Sequence, residues 1–212
     1  MEFPEFIKAR VRSLLHKKTD SYLHIGIPGG RSAAGIVNGL SLLDNSELKK
    51  LQLQLIDERE TGEKNYDTLL NAGVGQLINS GRLQSDQFRT LTRESNGTLQ
   101  KFDILFAGIG EDGHFASLFP GSFPQNSNNS VVNSASHQTV QITNAPKKPP
   151  KRISISYSGF RELAADAEIY LLFFGKAKWE ALTRLIQKES QETLPCIFLT
   201  ENFERVTVLT DQ

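Results

Sequence analysis

The stretch KFDILFAGIGEDGH, Lys101–His114, passes from an almost unbroken apolar run into a frame of glycines that carries two acids and a histidine. A run such as Phe102–Ala107 is the pattern of a strand buried on both faces, the condition of a strand inside a parallel sheet. Parallel strands need crossover connections, usually helices, so the stretch predicts an α/β chain. Glycines at 108, 110 and 113 let backbone approach a ligand closely. Ligands of open α/β sheets bind beyond the carboxyl ends of the strands, and that is where Asp112 and His114 fall.

Outward from this strand the pattern repeats. Ile7, Val11, Leu14 and Leu15 recur at helical spacing, which predicts an amphipathic helix over residues 3–17. SYLHIGIPGG (21–30) reads as a strand running into a glycine turn, followed by a helix over 32–43. LQLQLIDER (51–59) alternates apolar and polar and reads as one strand ending in charge. A crossover helix follows over 65–80, then a short edge strand in FRTLTR (88–93). The Asn- and Ser-rich segment 121–138 reads as a loop. TVQIT (139–143), RISISYS (152–158), AEIYLLFFG (167–175), CIFLT (196–200) and RVTVLT (205–210) read as strands, with a helix over 176–189. There is no internal repeat and no linker, so residues 1–212 are expected to form a single domain with helices on both faces of the sheet.

Composition narrows the function. The chain is 38% hydrophobic and 23% charged, a folded rather than a disordered balance. Lys plus Arg equals Asp plus Glu at 24 each, so no global field draws in nucleic acid or an anionic membrane. Any anion site must be local. A single cysteine, Cys196, rules out an internal disulfide and fits a reducing compartment. The N-terminal MEFPEFIKARVRSLLHKK has no signal-peptide core, and no apolar run is long enough to span a bilayer. The expectation is a cytoplasmic protein, monomer or homodimer, whose partner is a small molecule.

Three segments at strand ends carry chemistry. In PGGRS (28–32), Gly29 and Gly30 expose backbone N–H groups just before a helix N-terminus, a natural seat for phosphate, and Arg31 adds a two-pronged donor. Neither the Walker nor the dinucleotide spacing of glycines is present, and a tight turn alone would also explain them. DER (57–59) reads either as a solvated cluster or as an arginine, Arg59, held by acids at the sheet's edge to meet developing negative charge. In GIGEDGH, His114 is the candidate general base and Asp112 its orienting partner. No second histidine or cysteine stands at metal-ligand spacing. KKPPKR (147–152) reads as a rigid loop aiming one or two cations inward, and Lys178, in the first turn of a helix, opposes the helix dipole unless an anion sits there.

These segments, in order, resemble the motifs of 6-phosphogluconolactonases, within the wider group that includes glucosamine-6-phosphate deaminases. GGRS resembles the family's phosphate loop GGRTP or GGSTP. DER followed by NY resembles DER…SN, and GIGEDGHFASLFPGS resembles GMGPDGHTASLFPG, the most specific of the set. PKKPPKRISIS resembles KPPPxRITLT, and GKAKWEAL resembles GxxKAxAL. The resemblance implies a Rossmann-like α/β/α sandwich with a mostly parallel sheet. It implies hydrolysis of 6-phosphoglucono-δ-lactone to 6-phosphogluconate, with no metal or organic cofactor. By the same resemblance His114 is the base, positioned by Asp112. Arg59 and Asp57 line the reacting end. Gly29, Gly30, Arg31, Ser32, Arg152 and Lys178 hold phosphate or orient substrate. The related deaminases carry a glutamate five residues after the histidine; here that residue is Phe119, which favours a lactonase over a deaminase. A non-catalytic sugar-phosphate binder would be expected to lack His114 or Asp112. The chain departs from the pattern at Glu111 (a proline in the family), at Ala33–Ala34 (Thr-Pro), at Trp179 (alanine) and in a shortened stretch after DER.

Overall fold

The computed structural model describes residues 2–18, 21–30, 32–123 and 137–211. Arg31 and most of the 121–138 segment lie outside the described residues.

Six strands form one sheet in the order β4-β2-β1-β5-β8-β9: β1 (Leu23–Ile27), β2 (Leu51–Leu55), β4 (Phe88–Arg89), β5 (Ile104–Gly108), β8 (Glu168–Phe173) and β9 (Val206–Thr210). Every pairing in it is parallel. The chain lays strands outward on one side of β1 and then returns to the other side with β5. The switch point is therefore the crevice between the ends of β1 and β5.

A second sheet is antiparallel: β3 (Asp57–Arg59), β7 (Arg152–Ile155) and β6 (Thr139–Ile142). LQLQLIDER is thus not one strand but two, in different sheets. The crossing residue is Ile56, whose N–H donates to the Ile27 carbonyl of the large sheet while its own carbonyl accepts from Ile155 of the small one. The alternation of β2 stops at the break, where Leu55 and Ile56 are adjacent and both buried.

Helices α1 (Phe3–Leu15), α2 (Ala33–Ser41), α3 (Asn45–Leu48), α4 (Asn65–Leu69) and α5 (Gly75–Asn79) precede β4. A wider π turn, Leu70–Val74, joins α4 to α5, with Gly73 at φ 128°, so the helix expected over 65–80 is kinked. Ile7, Val11, Ile36 and Leu40 from α1 and α2 pack with Leu23, Ile25 and Phe106 on one face of the sheet. On the other face Leu105, Ala107 and Leu171 meet Phe160, Leu182 and Phe198 from α6 (Tyr157–Leu163), α7 (Trp179–Ile186) and α8 (Ile197–Asn202). Consecutive residues of β5 thus serve opposite layers, which is why its sequence is apolar throughout.

Other expectations need correction. CIFLT is helical, not a strand: α8 follows Pro195 and buries Ile197, Phe198 and Leu199 together. A short apolar run reads equally as strand or as buried helix. RISISYS leaves the strand at Ile155, where Ser156 caps α6 by accepting the Gly159 N–H at 2.9 Å. The helix expected over 176–189 starts with a 3-10 turn, Lys176–Lys178, before α7.

At the opposite end of the sheet from the crevice, Arg10 of α1 grips the buried Glu168 of β8, which also accepts the Tyr170 hydroxyl at 2.9 Å. This polar bolt fixes α1 to the sheet. Among the described residues no helix is long and apolar enough to cross a membrane.

Candidate active site

A cleft of about 350 Å³ opens at the switch point. That is the size class of a small-molecule site. Gly29, Gly30 and Ser32 from the turn after β1 line one wall, and Gly110, Glu111 and His114 from the turn after β5 line the other. Lys147, from the loop between β6 and β7, and Lys178, before α7, also face it, as do Phe3 and Phe174. Those two rings meet edge to face at 4.7 Å.

His114 is held on three sides. Its Nδ1 lies 2.5 Å from Asp112 Oδ1. Its ring packs against Phe119 at 4.6 Å between centroids. Behind it is Gly110, where a Cβ would stand 1.9 Å from Nδ1, so only glycine allows the imidazole this seat. With Nδ1–H donated to Asp112, Nε2 carries the lone pair that can take a proton. The Asp112 carboxyl is pulled two ways. Burial raises it, while the His114 hydrogen bond, the imidazolium charge and Lys147 at 3.3 Å together hold it well below the usual carboxylate range.

The loop carrying His114 is anchored from below. Ser117 Oγ donates to Asp57 Oδ2 at 2.7 Å, and Asn65 Nδ2 donates to the other Asp57 oxygen and to the Asp57 carbonyl. Burial pushes the Asp57 carboxyl up, against the opposing hydrogen bond from Ser117 and the charge of Arg152. Asn65 lies directly under Gly29: a Cβ there would meet its amide at 2.2 Å. Asp57 therefore ties the histidine loop and the glycine turn to one point, through Ser117 and Asn65. Glu58 joins in by accepting the backbone N–H groups of Arg59, Asn65 and Tyr66 and the Thr90 hydroxyl, which caps α4.

The residues expected at the site thus divide. His114, Gly29, Gly30, Ser32 and Lys178 line one cleft, with Asp112 directly behind His114. Asp57, Arg59 and Arg152 lie outside its lining. Arg59 donates to the Glu63 carbonyl and keeps Nε buried without a hydrogen-bond partner among the described residues. Arg152 pairs across β3 and β7 with Arg59 and gives Nε and Nη2 to the carbonyls of Pro149, Lys147 and Lys148. Its guanidinium lies 5.4 Å from the Phe119 ring. Burial lowers the Arg152 pKa, and the charge of Asp57 works against that. Arg152 thereby shapes the loop that delivers Lys147.

Asn65, Ser117 and the Phe3–Phe174 pair escaped the reading of the residues. Asn65 left a trace in the NY after DER. Phe3 and Phe174 left none, because an aromatic at a helix start or strand end reads as core. Among the described residues no group of three or more His, Cys, Asp or Glu side chains is placed to hold a metal ion.

The family model described as glucosamine-6-phosphate isomerases/6-phosphogluconolactonase matches residues 2–208. A 6-phosphogluconolactonase of Borreliella burgdorferi is 29% identical over 191 residues, covering 81% of this chain and 76% of that protein. Chloroplastic 6-phosphogluconolactonase 3 of Arabidopsis thaliana is 31% identical over 129 residues, 61% of this chain and 33% of that protein. Among solved structures, 6-phosphogluconolactonase from Thermotoga maritima superposes with a TM-score of 0.71 at 17% identity, covering 99% of this chain and 95% of that one. The enzyme from Plasmodium vivax gives 0.74 at 19% identity, covering 98% and 85%. At these identities the superpositions establish the fold.

Proposed function

The chain belongs to the glucosamine-6-phosphate isomerase/6-phosphogluconolactonase family, and from that premise we propose that it hydrolyses 6-phospho-D-glucono-1,5-lactone to 6-phosphogluconate, in the oxidative pentose phosphate pathway, with His114 as general base. The observation that carries this reading is the sharing of one cleft by the His114–Asp112 pair, the Gly29–Gly30 turn and Lys178.

The phosphate sits against the Gly29–Gly30–Ser32 turn at the start of α2, with Lys178 completing the charge balance. Holding it fixes the distance from the lactone carbonyl to His114 and removes much of the entropic barrier. Nε2 takes a proton from water as its oxygen attacks C1. Asp112 stabilises the imidazolium that forms. The tetrahedral oxyanion meets the ammonium of Lys147. Collapse breaks the bond between C1 and the ring oxygen, and the leaving alkoxide takes the proton back from Nε2. The acid product then loses its proton to solvent, so His114 ends neutral.

The deaminase reading lacks its acid. Phe119 fills the space beside the imidazole where the related deaminases carry a glutamate, and its ring is buried. The test is a pair of assays on the purified protein, one with freshly generated lactone corrected for spontaneous opening and one with glucosamine-6-phosphate. Lactone turnover without ammonia release is expected. Ammonia release without lactone turnover contradicts the proposal.

A further inference from the structure

The two edges of the large sheet are unlike. β4 is two residues long and carries Arg89, so it is short and charged, as guarded edges are. β9 runs five residues, Val206–Thr210, as VTVLT, with no proline, no charge and three β-branched side chains before the terminal Thr. Among the described residues no strand lies along its outer side. Val208 is 38% exposed.

We propose that the outer edge of β9 pairs antiparallel with the same strand of a second copy of this chain, joining two six-stranded sheets into one across a two-fold axis. Register and charge both single out the second copy. The Ile169 N–H of β8 donates to the Arg205 carbonyl. The alternation of a parallel ladder then turns the backbone groups of Val206, Val208 and Thr210 away from β8. A two-fold centred on Val208 places Val208 opposite Val208 and Val206 opposite Thr210, so the outward-facing residues pair with one another. The same register sets Arg205 opposite Asp211, twice. Shifting the centre by half a residue toward the N-terminus would instead oppose Glu204 to Asp211. Opposite charges and β-branched pairs across strands are the stabilising combinations, and an isologous interface requires a strand that complements itself.

The interface reaches toward the cleft. Asp211 accepts the Gly175 N–H at 2.9 and 3.1 Å, and Gly175 opens the turn Lys176–Lys178 whose last residue lines the cleft. Arg205 is exposed and rests one amino group on the Asp166 carbonyl.

Sedimentation equilibrium between about 1 and about 100 µM, the range in which a small interface dissociates, tests the proposal and needs no substrate, so its outcome is independent of the lactonase reading. A monomer–dimer equilibrium is expected in that window. Val208→Pro removes an N–H that faces away from β8, so it leaves the sheet intact and should weaken association at least about tenfold, as edge prolines do. Val208→Lys, at an exposed side chain, should do the same and carries the test should the proline variant fail to fold. A wild type that stays monomeric throughout, or a dimer whose dissociation constant neither folded variant moves, overturns the proposal.

Discussion

Asp112 shows how one carboxylate sets the state of the site. Its folded pKa is depressed, so the His114–Asp112 pair contributes stability above the ordinary carboxylate range and loses it as pH falls through the folded value. The side chain is 33% exposed, which limits the contribution to about 1 kcal/mol. Thermal melts of wild type and Asp112→Asn should therefore differ near neutral pH and converge on acidification. A gap that widens toward acid would reverse the sign of this argument. Asp57 is a different kind of acid: buried and raised, it holds Ser117 and Asn65 rather than substrate. Asp57→Ala strands both partners and should cost about 1–3 kcal/mol in chemical denaturation. No loss would mean the two loops are held by something else. At the cleft itself, Lys178→Ala should chiefly raise KM with little change in kcat, because phosphate binding is the same in ground and transition states. A fall in kcat alone would move Lys178 to the reacting end.

At the scale of elements, the site depends on two turns that touch other chain segments without a Cβ between them. Gly29→Ala would push Asn65 aside and shift the turn against the base of α4. It should weaken substrate binding at least about tenfold, the effect of misplacing a positioning group. Binding at wild-type strength would show that the turn does not seat the phosphate. The strands that end in these turns were legible because β5 is apolar on consecutive residues and stops at glycine, while β1, LHIGI, runs into Pro28 and the Gly29–Gly30 pair. The helix N-terminus after Gly30 was legible for the same reason. The break between β2 and β3 was not: its one mark is the adjacent apolar pair Leu55–Ile56, which interrupts the alternation without saying that the chain changes sheets. Nor was α8, whose apolar run carries no period long enough to separate helix from strand. Cleft residues close in sequence to a motif were readable. Those reached only through the fold, such as Phe3, were not.

For the whole molecule, the parallel sheet gathers the candidate-site segments at one end, with the Asp57 scaffold beneath them, and sets the Arg10–Glu168 pair at the other. Arg10 and Glu168 join the first helix to a strand 158 positions away, and Glu168 is buried. Arg10→Ala leaves that carboxylate without its cation and should lower stability by about 1–3 kcal/mol, with kcat unchanged because the pair lies far from the cleft. The motif order along the chain made the α/β class readable and put the candidate residues at strand ends; which two strands flank the cleft was set only by the strand order. The division of DER into a scaffold pair and an arginine was not readable, because only the small antiparallel sheet sets Arg59 beside Arg152.

In the proposed reaction one imidazole, oriented by Asp112 and facing the cleft that the Gly29–Gly30 turn lines, activates water against the lactone. This step is tested most directly by kcat/KM for 6-phosphogluconolactone hydrolysis in wild type and in a folded His114→Ala variant, measured side by side after subtraction of spontaneous opening. A fall of about 10²- to 10⁴-fold is expected, the usual contribution of a positioned base; equal rates in the two proteins would exclude His114 as that base.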